Sequence, residues 1–338
     1  MKRSWIVLIL CAALPIALVA CAGTADSPVV APTTEGDSTS TDGTADEDHV
    51  RVVVTVGFGA ETLVDEVVPL LQGMTALDAL QQVAETKTAY GGGFVEAING
   101  IGSKGTQSGK GRQDWFYYMN GFLARSSSAG YVLRPDDVEQ WDYHGWAAGQ
   151  TVSATLQSFP AAMISGYNGQ VFPSVVAFGG AFEDEAAHIA TLVQKAGAMD
   201  VRTLPIGDLT MEDKQNHNLI VVAGASASYV QELNENRERV GLLAEFEGSA
   251  LHAFPASGTD EEVYEGSVGL LAAMQNPSNP SGTGVCENVV LLVTGTDDGG
   301  VRAAANALCT LEGDAANWPS AIVVDGVLMQ VPIWDAVD

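Results

Sequence analysis

Residues 91–143 carry the densest chemistry in the chain. They hold Trp115, Phe116, Tyr117, Tyr118, Phe122, Tyr131, Trp141 and Tyr143 in a protein that is only 7% aromatic. The same stretch holds Lys104, Lys110, Arg112, Arg125 and Arg134, against a formal net charge of -27. Aromatic faces stack on flat rings and cationic side chains meet anions, so the stretch reads as a binding surface. Within it, residues 102–112 (GSKGTQSGKGR) have glycine and lysine without phosphate-loop spacing. Gly109-Lys110 is followed by Gly111, where Ser or Thr is needed. What remains is a cationic loop, either solvated or able to attract an anionic group.

Catalytic patterns are missing from the sequence. The histidines (His49, His144, His188, His217 and His252) form no HExxH and no close His/Cys cluster. There is no GxSxG elbow and no SxxK, and the acidic residues are scattered. The expectation is a protein that is not an enzyme, with no metal centre and no required cofactor.

The chain that positions this stretch begins with Lys2 and Arg3, then an apolar run from Trp5 to Val19, the pattern of a secretory signal. Leu18-Val19-Ala20-Cys21 resembles a bacterial lipobox. The resemblance implies removal of residues 1–20, lipidation of Cys21, and a place in the cell envelope on the extracytoplasmic face of a membrane. Without residues 1–20 the balance is 13 cations against 42 anions, which argues against nucleic acid as a partner. Residues 21–49 are rich in Thr, Ser, Asp, Gly and Pro, with no Lys or Arg. They cannot bury enough apolar surface to offset ordering entropy, so they read as a disordered acidic tether. Cys286 and Cys309 are the remaining cysteines outside the signal. About seven residues of strand around 289–294 run out about 23 Å at ~3.3 Å per residue, and about eleven residues of helix after it return about 16 Å at 1.5 Å per residue. That geometry, in a compartment that permits disulfides, predicts a Cys286–Cys309 bridge.

From residue 50 the pattern is strand (51–58), short strand (62–68), amphipathic helix (75–86, with Thr75 and Asp78 as a capping box), and strand (94–98). A hairpin strand (115–119) closes on Asn120-Gly121, and a last strand covers 138–143. Strand alternation puts Trp115, Tyr117 and Met119 on one face and Phe116, Tyr118 and Asn120 on the other. One set packs on the helix. The other either faces a ligand or is covered by the rest of the chain.

The order of helix, GGGFVEAING, DWFYYMNG and RPDDVEQWDY resembles the C-terminal, cobalamin-contacting domain of transcobalamin and intrinsic factor. The resemblance covers about residues 50–146. It implies a β-grasp-like α+β domain and a cobalamin or related corrinoid ligand. The aromatic segment and its alternation supply the candidate binding residues, Trp115, Phe116, Tyr117, Tyr118, Asn120, Phe122, Tyr131, Trp141, Tyr143 and His144, the last either a surface histidine at a strand end or a lower-face ligand to the corrinoid cobalt. The helical barrel domain of the animal carriers has no counterpart here.

After a linker or final strand at 148–172, apolar strands alternate with helices. Strands fall at 175–178, 201–205, 219–223, 289–294, 321–324 and 327–331, with a weak one at 250–254. Helices fall at 182–196, 227–239, 262–274 and 299–308. Continuous apolar strands between helices imply a parallel or mostly parallel sheet covered on both faces, an α/β domain over 173–338. NLIVVAGASASYVQELN and ENVVLLVTGTDDGGVRAAANAL are similar to segments of surface-layer proteins, and GASAS is not a dinucleotide fingerprint. Two domains are expected: a β-grasp-like α+β domain over 50–147, then the α/β domain. The reading is a membrane-tethered binding lipoprotein that captures a corrinoid and works beside an uptake transporter. Its alternative is a structural envelope or adhesion protein among other envelope proteins.

Overall fold

The computed structural model describes residues 48–102, 112–146, 152–256 and 261–333. The leader, Cys21, nearly all of the tether, Lys104 and Lys110 lie outside the described residues. Two antiparallel strands, β1 (His49–Val56) and β2 (Glu61–Pro69), open the fold. β-Branched residues fill β1 and favour the extended backbone. Val50, Val52 and Val54 lie on one face of it and are buried. Helix α1 (Ala76–Val83) starts at the capping box that the spacing predicts. Asp78 N donates to Thr75 Oγ1 at 3.2 Å, and Thr75 N donates to Asp78 Oδ2 at 2.9 Å. Its buried side, with Leu77 and Leu80, packs on the β1 face.

A small antiparallel sheet follows, β3 (Thr86–Ala89), β4 (Phe94–Ile98) and β5 (Ile101–Gly102). Then come β6 (Gln113–Met119), β7 (Phe122–Leu123) and β8 (Val138–Gly145). The first large sheet has the order β2-β1-β8-β6-β7, antiparallel except for the β1/β8 pair. The β6–β7 turn is Asn120-Gly121, both at positive φ (51° and 79°), as a tight hairpin requires. A Cβ on Gly121 would stand 2.2 Å from Ser158 N, so glycine is needed for contact as well as for conformation.

The second half runs α2 (Ser158–Ile164), β9 (Ser174–Phe178), α3 (Glu183–Lys195), β10 (Val201–Pro205), α4 (Met211–Asn216), β11 (Asn218–Val222), α5 (Ser228–Glu235) and α6 (Arg237–Val240). It continues with β12 (Ala244–Glu247), β13 (Ala250–Ala253), β14 (Glu262–Tyr264), β15 (Gly269–Gln275), β16 (Val289–Gly295), α7 (Asp298–Cys309), β17 (Ser320–Val324) and β18 (Val327–Val331). A seven-stranded sheet has the order β10-β9-β11-β16-β15-β17-β18. Its first four strands are mutually parallel, whereas β15 is antiparallel to both neighbours. β12, β13 and β14 form a separate antiparallel sheet.

The helix expected over 262–274 is instead β14 and β15. GLLAAMQ is rich in helix formers, yet every residue of β15 is buried between β16 and β17. Tertiary packing overrides propensity there. Helix α7 lies so close that a Cβ on Gly269 would come within 2.6 Å of Gly300 O.

The fold is thus mixed α/β, mostly strands, in several sheets. The expected boundary near 148–172 is crossed by packing. Both buried apolar clusters draw residues from either side of it. Hydrogen bonds cross as well: Trp318 Nε1 to Gly59 O (2.9 Å) and Gln140 Nε2 to Asn317 O (2.9 Å). Residues 46–338 cluster as one unit. No helix among the described residues is long and apolar enough to cross a membrane.

Candidate functional site: an aromatic cleft at a sheet edge

The alternation along β6 holds. Trp115, Tyr117 and Met119 face α1, together with Trp141 and Tyr143 from β8. Tyr117 stacks on Trp141 (centroids 5.1 Å), and Trp115 packs against Tyr143 (5.2 Å). Trp115 Nε1 donates to Ile101 O and Tyr143 Oη to Gly102 O, each at 2.8 Å, which ties this face to β5.

The opposite face is not open. Tyr118 is 1% exposed and its hydroxyl donates to Val152 O at 3.2 Å. Of the two alternatives for the second set of aromatics, the structure has coverage by the rest of the chain. His144 sits on this covered face. Its ring is sandwiched between Phe58 (4.1 Å) and Phe116 (3.9 Å, 7° between planes), and its Nδ1 lies 2.6 Å from Asp142 Oδ2. Asp142 in turn accepts from Thr55 Oγ1 (2.6 Å), Phe58 N (2.9 Å) and Gly59 N (2.8 Å). His144 is therefore a buried partner of a carboxylate rather than a group presented to the cleft, and it pairs with Asp142, not with a serine or cysteine.

What does open to solvent is the outer edge of β6. Strand β7 covers only Tyr118 and Met119, so Gln113–Phe116 has no strand partner on that side among the described residues. Ala124 N bonds Tyr117 O on the open side, and Trp146 N bonds Arg112 O on the other. By alternation, the main-chain groups of Gln113 and Trp115 point to the open edge. A cleft of about 310 Å³ lies there, walled by Phe94, Trp115, Phe116, Tyr117, Trp141 and Trp146 and by the 123–128 loop. Trp146 is 48% exposed and Phe94 39%, so apolar rings stand at the rim. Arg112 caps the rim, its Cζ 4.5 Å from the Trp146 ring centroid. Asp114 fixes both residues: Arg112 Nε donates to Asp114 Oδ2 at 2.7 Å and Trp146 Nε1 at 2.5 Å.

Behind the cleft lies a buried acidic group. Trp141 Nε1 donates to Glu139 Oε1 at 2.5 Å, while Glu139 Oε2 and the Tyr117 hydroxyl are buried without a hydrogen-bond partner. Burial holds the Glu139 carboxyl well above the usual carboxylate range, against the Trp141 hydrogen bond. Burial, and then the charge on Glu139, push the Tyr117 phenol up. Asp137 is also raised by burial, opposed by its hydrogen bonds from Asn120 and the Arg134 amide.

The structure thus brings Trp115, Phe116, Tyr117 and Trp141 to one cleft. Tyr118, Asn120, Phe122, Tyr143 and His144 lie in the packing around it. Asn120 braces its own turn: it donates to Asp137 and Gly166 and accepts from Val138 N at 2.8 Å. Tyr131 lines a neighbouring cleft. Phe94 and Trp146 were not among the expected binding residues. Their signal in the sequence is weak: Phe94 is the first residue of β4 and Trp146 lies one residue past β8. The expected Cys286–Cys309 disulfide is also corrected, for both residues are free thiols. Cys286 turns at positive φ (58°) and its Sγ donates to Leu123 O at 3.2 Å, toward the first sheet. Burial pushes its thiol up to about 12. Among the described residues no group of three or more His, Cys, Asp or Glu is placed to hold a metal ion.

A family model described as a domain of unknown function, DUF4430, matches residues 73–145, from just before α1 to the end of β8. A structure from Ruminococcus gnavus, described as that of a candidate metal-binding protein, is similar at 15% identity. It covers 30% of this chain and 100% of that one, with a TM-score of 0.22. No curated protein matches this chain.

Proposed function

We propose that this chain is a binding protein whose aromatic cleft takes one edge of a flat conjugated ring, and that a corrinoid such as cobalamin is the ligand. The observation that carries the reading is the rim. Trp146 and Phe94 leave apolar ring surface in water beside the edge of β6 that has no strand partner among the described residues, an arrangement that stability alone does not call for. The volume lies at the low end for small-molecule sites, so the cleft grips a ring edge rather than engulfing a whole macrocycle. The matched stretch, 73–145, falls within the residues that resemble the cobalamin-contacting domain and supports the β-grasp-like reading of the first sheet and α1. The protein binds and does not catalyse. Lipidated Cys21 would hold it on the extracytoplasmic face of a membrane, within reach of an uptake transporter. A Cys21→Ala variant that stays in the membrane fraction would contradict that anchor.

Isothermal titration of the chain from Ala22 onward with cyanocobalamin tests the ligand. That form contains the whole compact unit 46–338. A saturable signal supports the proposal. The second reading, a structural envelope module, draws on the covered face of β6, where Tyr118 is sealed by residue 152. A featureless titration would favour it.

A further inference from the structure

We infer that a second cleft, across the 125–130 loop from the aromatic one, receives a phosphoryl-bearing arm of the same ligand. The inference rests on the proposed ring site and deepens it. This cleft measures about 370 Å³, and Ser126 lines both clefts. One wall comes from the aromatic segment, with Arg125, Ser126 and Tyr131. The other comes from the second half, with Asn168, Gln170 and Glu287.

The cation of the lining is Arg125. Arg125 spends Nη1 on Val285 O (3.1 Å), and among the described residues no carboxylate pairs with it. A guanidinium has five N–H donors in a fork that matches phosphoryl oxygens. The loop carrying Arg125 is pinned. Arg125 N donates to Tyr167 Oη (3.3 Å), Ser126 Oγ lies 2.9 Å from the same hydroxyl, and Asn168 N donates to Tyr131 Oη (2.9 Å). Glu287 is the acid of the lining, and it is turned to the Asn279 amide, which donates to it at 2.6 Å. In a chain of net charge -27, long-range repulsion disfavours anions. A local cation without a carboxylate partner at a cleft mouth is what such an arm requires. Cys286 on the floor, with its thiol pushed up to about 12, is inert packing rather than a nucleophile.

The test is isothermal titration of the chain from Ala22 onward with two probes. Cyanocobalamin carries a phosphodiester arm, and cobinamide is the same kind of ring without it. The expected result is at least tenfold tighter binding of cyanocobalamin, the range of a charge-assisted hydrogen bond. Arg125→Gln should erase that difference and leave cobinamide binding unchanged, with an unaltered melting temperature showing that the variant is folded. Equal binding of both probes by the wild type, or an Arg125→Gln loss shared equally by both, overturns the phosphoryl cleft and leaves the ring site standing. Binding of neither probe overturns both.

Discussion

Strands β8 and β16 are both central, both about seven residues long and both buried along nearly their whole length, yet their chemistry is opposite. β16 reads VVLLVTG and lies between β11 and β15. β8 reads VEQWDYHG and lies between β1 and β6. The first is held by apolar burial, which is non-directional and indifferent to pH. The second buries Glu139, Gln140, Asp142 and His144, each of which is costly to desolvate unless its partners are in place. The difference teaches where the molecule gives up stability. The seven-stranded sheet is scaffold, and the polar strand is the one that backs the aromatic cleft.

The largest expected effect comes from breaking the polar network. Asp142→Ala removes the acceptor for two backbone amides, a hydroxyl and His144, and should cost about 3–5 kcal/mol of unfolding free energy in urea titrations. A loss below about 1 kcal/mol would mean that β8 is held by packing alone, like β16.

Glu139→Gln sharpens the same contrast through pH. Burial raises the folded-state carboxyl above its unfolded value, which lies near 4.3. Between those two values the native state holds a proton that the unfolded chain has released. The stability from this group is thus complete below the unfolded pKa and drains away as pH rises, by at most about 1.4 kcal/mol per pH unit. The opposite sign holds for Asp65, Asp213 and Asp297, whose lowered values give stability that is lost as pH falls. Comparing Glu139→Gln with the wild type cancels those groups. The variant should match the wild type near pH 4 and melt progressively higher than it toward pH 8. Parallel curves would show that Glu139 is not protonated in the fold.

A smaller effect separates the two thiols. Cys309 is half-buried at the end of α7, and Cys286 is buried and raised further. In the native protein a thiol reagent should modify Cys309 first, and unreduced unfolded protein should titrate both. Finding neither reactive after unfolding would restore the disulfide.

Local signals in the sequence were readable where one physical cause dominates. The Thr75/Asp78 capping box, the Asn120-Gly121 turn, the alternation of DWFYYM and the buried VVLLVT run all appear where spacing places them. Long-range packing decided the rest. GLLAAMQ has helical composition, and its place between β16 and β17 makes it a strand. The strand-and-helix arithmetic for Cys286 and Cys309 treated length alone, whereas the positive φ of Cys286 sends its sulfur toward Leu123. The residues that line the cleft were half legible. Trp115, Phe116, Tyr117 and Trp141 were found from density and period. Which face stayed open could not be read, because the second half seals one face and the short β7 leaves an edge, and neither fact is local. Trp146 and Phe94 gained meaning only from that edge.

Trp146 offers the most direct test of the ring site. It is 48% exposed, so replacing it by alanine, which removes its hydrogen bond to Asp114 and its contact with Phe116, should cost about 1–2 kcal/mol of stability and leave the protein folded. It should nonetheless contribute a stacking surface worth about 0.5–1.5 kcal/mol beyond its area. Titration of wild type and Trp146→Ala, from Ala22 onward, with cyanocobalamin should give saturable one-to-one binding that weakens about tenfold in the variant, measured at a temperature well below the melting transition of both. Binding that is indifferent to Trp146→Ala would move the site elsewhere, and no binding by the wild type would contradict the corrinoid reading outright.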